Sequence, residues 1–214
     1  MPKILYVYDA LCGWSYGFSP VIRQLYNAFS DRITFDVLSG GVAQGSDVKP
    51  IAKSCVFIRE SYPHVEAVTG IRFGEAFLNG ILAEGSMMMR SSDPASAICL
   101  FKHYQPHNVL PFALALQEAF YRDGKNLTED AVYAELATSF GLNGTTFAQE
   151  MKQPEIKAEA EAEFASVEKM GIPGLPALIW VEGHSGFVLT HGYAPFEELA
   201  GAVEQFLYNG VPSE

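Results

Sequence analysis

The first apolar run, Ile4-Leu5-Tyr6-Val7-Tyr8, is rich in β-branched and aromatic residues and alternates only weakly, which suits a buried strand over residues 3–8. A helix is predicted over Pro20–Phe29, where Val21, Ile22, Leu25, Tyr26 and Phe29 fall on one face. A second strand, Ile33–Leu38, runs into Gly40-Gly41. Strand, helix and strand in that order are the pattern of a parallel pair joined by a crossover helix. From about 47 to 170 strand signals nearly vanish and helix punctuation repeats. Pro94 opens Ala95–Tyr104, Pro111 opens Phe112–Tyr121, and Thr128 precedes Glu129–Phe140, which Gly141 closes. Thr146 with Gln149 resembles a capping box, and Pro154 opens Glu155–Met170 ahead of Gly171. Strand signals return at Ala177–Val181 and Phe187–Thr190 around a Gly183–Gly186 turn, a predicted hairpin, and a last helix spans Pro195–Tyr208. The order is β-α-β, a helical block, then β-β-α. One core accounts for it: a discontinuous sheet domain made of 1–46 and 171–214, interrupted by a helical insertion at 47–170.

Composition narrows the functional classes. A chain of 214 residues, 49% hydrophobic, buries roughly 70% of its unfolded surface and needs no disulfide staples. A net charge of −11 repels phosphate backbones and anionic lipid, so neither nucleic acid nor a membrane is an expected partner. The apolar stretch at the N-terminus is five residues long and ends at Asp9, with no small-residue cleavage site behind it, so the protein is expected to be cytoplasmic. A charged fraction of 18% beside 13% aromatics suits a homodimer. The three cysteines, Cys12, Cys55 and Cys99, are too few and scattered for a disulfide framework, so a cysteine that matters here acts as a thiol.

Cys12 occupies the most telling position. It follows a strand and precedes a helix in Cys12-Gly13-Trp14-Ser15. Free N–H groups and the dipole of a helix start favour an anion, and a thiolate is one, so a thiol pKa below the ordinary value is expected. Ser15, one turn later, can donate a hydroxyl hydrogen bond to the sulfur. Cys55 and Cys99 lie in apolar stretches and read as packing residues. In Gly171-Ile172-Pro173-Gly174-Leu175-Pro176-Ala177, Pro176 stands at the first residue of a strand, where it cannot donate to the ladder. A cis Leu175–Pro176 bond there leaves neighbouring main-chain groups open to a substrate strand. Other signals are weaker. Cys99, His103 and His107 are spaced along one helical face, but Pro106 ends that helix first and no metal site is expected. Gly40–Gly45 matches neither phosphate-binding fingerprint and reads as a turn, so no nucleotide is expected either. Met87-Met88-Met89, with Phe73 and Phe77, reads as insertion core, with a groove wall near Cys12 as the alternative.

Tyr8 to Pro20, with Cys12-Gly13-Trp14-Ser15 at its centre, resembles the active-site segment of DsbA-like thioredoxin-fold proteins, closest to the cytoplasmic branch grouped with FrnE and predicted protein-disulfide isomerases. Gly171–Ala177 resembles that family's cis-proline loop, and Ala119–Leu127 a motif of its helical insertion. The resemblance implies a thioredoxin-like α/β fold with an all-helical insertion and thiol-disulfide exchange (oxidoreductase or isomerase) at Cys12. Trp14, Leu175 and Pro176 would bind the substrate. The family pattern is Cys-x-x-Cys, and position 15 here is serine. A dithiol enzyme resolves its mixed disulfide with the second thiolate. Ser15 removes that escape and rules out a simple dithiol oxidase unless Cys55 or Cys99 reaches Cys12. The expected partners are protein thiols and disulfides, with glutathione as a co-substrate that resolves the adduct and no bound cofactor. Two alternatives share the architecture: a glutathione-dependent transferase or isomerase of small molecules, similar to the kappa class, and a redox-inactive peptide-binding adaptor.

Overall fold

The computed structural model describes residues 2–210. In chain order its elements are β1 (Lys3–Tyr8), α1 (Gly13–Phe29), β2 (Thr34–Ser39), β3 (Lys49–Pro50), α2 (Cys55–Thr69), a π-helical turn (Ala76–Ile81) that runs into α3 (Leu82–Glu84), and β4 (Met88–Met89). Then come α4 (Ser92–Tyr104), α5 (Val109–Tyr121), α6 (Asp130–Ser139), α7 (Gly144–Glu150), α8 (Pro154–Lys169), β5 (Ala177–Glu182), β6 (Ser185–His191) and α9 (Phe196–Asn209). The main sheet has the order β2-β1-β5-β6. β1 and β2 are parallel with α1 as the crossover, β5 runs antiparallel to β1, and β6 antiparallel to β5.

Alternation along the strands divides the packing. Ile4, Tyr6, Tyr8, Leu178 and Trp180 face one side and join a core that continues through Phe18, Ile22 and Leu25 of α1 into Phe101, Phe112 and Phe120 of the helical block. Leu5, Val7, Ala177 and Ile179 face the other side, where Val167 of α8 covers them. With both faces of β1 covered, its sequence reads as an almost unbroken apolar run. The helical block and the sheet therefore share one hydrophobic cluster. A partly buried ion pair joins α4 to α8, with Lys102 Nζ 2.5 Å from Glu163 Oε1, and the other Glu163 carboxylate oxygen ties α8 to β2 by accepting from the Ser39 N–H at 3.0 Å. The proposed domain ranges begin and end on Met1 and residues 211–214, which lie outside the described residues.

The structure departs from the predicted elements in four places. α1 starts at Gly13 and encloses Pro20, which the sequence reading put at the helix start. A proline inside a helix loses a hydrogen bond at a cost of about 3 kcal/mol. The apolar stripe nonetheless extends upstream through Tyr16 and Phe18, both buried, and their packing offsets that loss. α2 has no predicted counterpart, because Val65 is its one buried residue and the periodic signal is faint. β3 and β4 pair within the block expected to lack strands, at two residues each too short to show a period. The expected Thr146 capping box is instead an Asn143 cap, whose side chain accepts from the Thr146 N–H at 3.0 Å.

Phe101 is fully buried and stacks on Phe112 with ring centroids 4.0 Å apart, where the helical block closes on itself. Phe101→Ala is expected to destabilise the chain by about 3–5 kcal/mol through lost burial and a residual cavity, read as a fall in the urea midpoint at constant slope.

Candidate active site

The chain leaves β1 at Tyr8 and turns at once. Cys12 N–H donates to Asp9 O at 3.1 Å, and Cys12 O accepts from Tyr16 N–H at 3.0 Å as the first bond of α1. Cys12 is thus the N-cap residue, with extended φ −92° and ψ 113° and no acidic residue in the turn that follows. The sulfur is 3.8 Å from the Leu175 carbonyl oxygen, toward which the thiol donates. The Leu175–Pro176 peptide is cis. Leu175 lies just outside the ladder, since β5 begins at Ala177 and the first inward bond of this loop runs from Gly192 N–H to Pro176 O at 2.7 Å. Leu175 also presses on the loop after β2. A Cβ on Gly40 would stand 2.5 Å from Leu175 Cδ1, so a larger residue there would push the Leu175 side chain aside.

Ser15 is fully buried, and its Oγ makes no hydrogen bond among the described residues at rest. The hydroxyl stabilises the Cys12 anion, so its natural acceptor is the thiolate. The Ser15 main-chain carbonyl is held by the Tyr6 hydroxyl at 3.1 Å. Trp14 is half-buried and meets His64 edge-on, with ring centroids 5.5 Å apart. It lines the apolar cavity beside Cys12 together with Phe73 and Met89, so the methionine run supplies both buried core and cavity wall. A second, more open cavity runs from Cys12 past Gly40, Gln44 and Phe164 to Gly174 and Leu175.

The expected low pKa of Cys12 is corrected here. Burial, the largest effect, pushes the thiol above its ordinary value. Hydrogen bonds from Ser15 Oγ and from the Ser15 and Trp14 N–H groups pull it down, and the nearby Asp9 carboxylate raises it again. The helix-start donors are present as the sequence implied, but desolvation outweighs them. A protonated thiol agrees with the sulfur's position as a donor to Leu175 O.

Asp9 is the site residue that the sequence reading left without a role. It is 1% exposed, with Oδ1 accepting from Leu11 N–H at 2.9 Å and Oδ2 from Val42 N–H at 3.0 Å. Burial raises its pKa, against the lowering effect of those two donors. Cys99 is buried, and burial pushes its thiol far up. Cys55 packs against the core as expected but is only half-buried: at the first position of α2, it accepts from Arg59 Nε at 3.3 Å and points toward Leu82 O at 3.7 Å. Neither is disulfide-bonded to Cys12. His103 pairs with Glu159 at 2.9 Å, and no cluster of three or more metal-ligating side chains occurs among the described residues.

The sequence profile of the DSBA-like thioredoxin domain matches residues 3–204. Among solved structures, a "putative protein disulfide isomerase" from Nitrosomonas europaea is 26% identical with a TM-score of 0.85, over 98% of this chain and 99% of that one. The cytosolic disulfide reductase DsbM from Pseudomonas aeruginosa is 22% identical with a TM-score of 0.80, over 96% and 98%. The same protein with GSH superposes at 0.78, over 96% and 99%. Among curated protein sequences, none is significantly similar to the chain. No helix among the described residues is long and apolar enough to cross a membrane.

A raised pKa leaves little thiolate at neutral pH, and the rate of Cys12 alkylation should climb only as pH passes above the ordinary thiol range. Ser15→Ala removes a donor to the anion and should move that rise upward by about one unit, the worth of one hydrogen bond to a charged group. Peptide-resolved iodoacetamide labelling against pH checks both. A Cys12 midpoint below that of a free cysteine, or one unmoved by Ser15→Ala, would contradict this description.

Proposed function

The chain belongs to the DSBA-like thioredoxin domain family, and from that membership we propose that it exchanges thiols and disulfides through Cys12 alone, with an external thiol such as glutathione releasing the adduct. The observation that carries the proposal is the pairing of one helix-start thiol with a buried hydroxyl, in place of a thiol, at position 15. In the first step Cys12 S⁻ attacks R–S–S–R′, so that Cys12–S–S–R forms and R′–S⁻ leaves. In the second a glutathione thiolate attacks the R sulfur, giving R–S–S–glutathione and returning Cys12 S⁻. Serine cannot replace that second thiolate, because an alcohol does not ionise near neutral pH.

The groups around the sulfur have separate roles in this reading. Leu175 O holds the resting thiol. A substrate main chain that pairs with Leu175 in strand fashion takes that acceptor, and the sulfur is then free to lose its proton toward Ser15 Oγ and the helix-start N–H groups. Trp14 shapes the surface on which the substrate rests, and Pro176 sets the direction of the Leu175 carbonyl. Three free cysteines suit a reducing compartment such as the cytoplasm. The structure of DsbM with GSH, a fold relative, supports glutathione as the partner thiol.

Insulin reduction tests the mechanism. The protein as it stands should be nearly inactive without glutathione and should accumulate an adduct at Cys12. Ser15→Cys should create an internal disulfide partner and raise turnover by at least about tenfold, since a thiol one helical turn away acts at millimolar or higher effective concentration. Fast turnover by the unaltered protein without added thiol, and without an adduct, would show that another group resolves Cys12.

A further inference from the structure

The apolar cavity beside Cys12 has a volume of about 390 Å³, within the range of small-molecule subsites. Its walls include Phe57 and Val65 of α2, Phe73, and Met89 of β4, none of which belongs to the four-stranded sheet. Phe57 is 71% exposed while lining the cavity, so it stands at the opening. A side chain that large in water, beside a reactive sulfur, marks a place where an apolar group is expected.

Tyr121 differs from the other wall residues. It comes from the end of α5, is 3% exposed, and its ring is fixed by stacking on Tyr16 at 4.9 Å and by the edge of Phe73 at 5.2 Å. No hydrogen bond among the described residues involves its hydroxyl, and the residue lines the cavity. A buried phenol ordinarily finds a partner. Burial holds this hydroxyl well above its ordinary pKa, so it is a donor at any physiological pH. Cys12 and Tyr121 line the same cavity. A ligand bonded to the sulfur can therefore place an acceptor at the phenol.

We propose, on the basis of the exchange reading above, that this cavity receives the organic group on the sulfur that Cys12 captures, and that the group is an aromatic ring bearing a hydrogen-bond acceptor for the Tyr121 hydroxyl. Aromatic walls favour a ring through edge and offset contacts. Tyr121 is then a specificity-determining residue supplied by the helical block. In the reaction Cys12 S⁻ attacks one sulfur of Ar–S–S–Ar, Cys12–S–S–Ar forms, and Ar–S⁻ departs with the bonding pair.

The test uses the intact protein and two probes: dipyridyl disulfide with ring nitrogens para to sulfur, and methyl methanethiosulfonate, whose transferred methylthio group has neither a ring nor an acceptor. Second-order rates at Cys12 are measured by mass-resolved labelling. Tyr121→Phe keeps the ring and should slow the dipyridyl reaction about five- to tenfold, the worth of one hydrogen bond, while the methyl probe stays within about twofold. Met89→Trp, which fills the cavity, should slow the dipyridyl probe selectively as well. Equal dipyridyl rates for Tyr121→Phe and the unaltered protein would overturn the subsite and leave the exchange reading standing. A Cys12 inert to both probes would overturn the exchange reading and the subsite with it.

Discussion

The buried carboxylate of Asp9 holds the reactive segment in place. One oxygen takes the Leu11 N–H from the turn that carries Cys12, and the other takes the Val42 N–H from the loop after β2. The Asp9 carbonyl accepts from Cys12 N–H and, at 3.5 Å, from the Gln117 amide of α5. One residue therefore ties the end of β1, the start of α1, the β2 exit loop and the helical block together. Both cavities that open at Cys12 have Val42 in their walls, so their shape depends on the same tie. Such a network stabilises only because its members are satisfied; removing the carboxylate would strand the buried Leu11 N–H and release the Val42 N–H.

That tie has an electrostatic consequence. The charge that positions the thiol also opposes its ionisation, and burial acts in the same direction. Ser15 Oγ and the N–H groups at the start of α1 act the other way. The site is built as a balance: a thiol resting on the Leu175 carbonyl, with donors already oriented for the anion it becomes. The family's usual second cysteine would act from the position that the Ser15 hydroxyl fills. Here that position stabilises the anion and cannot close the disulfide.

Most of the framework was legible along the chain because it rests on local rules. Strand β1 announced itself by an apolar run, the crossover by strand, helix and strand in order, and the hairpin by its turn residues. Cys12, Ser15 and Pro176 were legible because strand ends and helix starts are where chemistry is exposed. What stayed hidden depends on enclosure. Asp9 at a strand end reads as an ordinary turn residue, and only the packing of α5 and the β2 exit loop around it makes it a buried carboxylate. The start of α1 was obscured by Pro20, whose usual place at a helix opening misled the reading. The direction of the Cys12 pKa was missed for the same reason as Asp9: helix-start donors show in sequence and desolvation does not. The cavity is assembled from residues between 11 and 121, and no single segment carries its signature.

The central claim is that Cys12 forms mixed disulfides that only an external thiol resolves. Incubation with oxidised glutathione, followed by intact mass and peptide mapping, tests it most directly. The account predicts one glutathione per chain on Cys12, persistent after removal of excess reagent and released by added reduced glutathione. An internal disulfide from Cys12 to Cys55 or Cys99, or an adduct that falls away without added thiol, would contradict it.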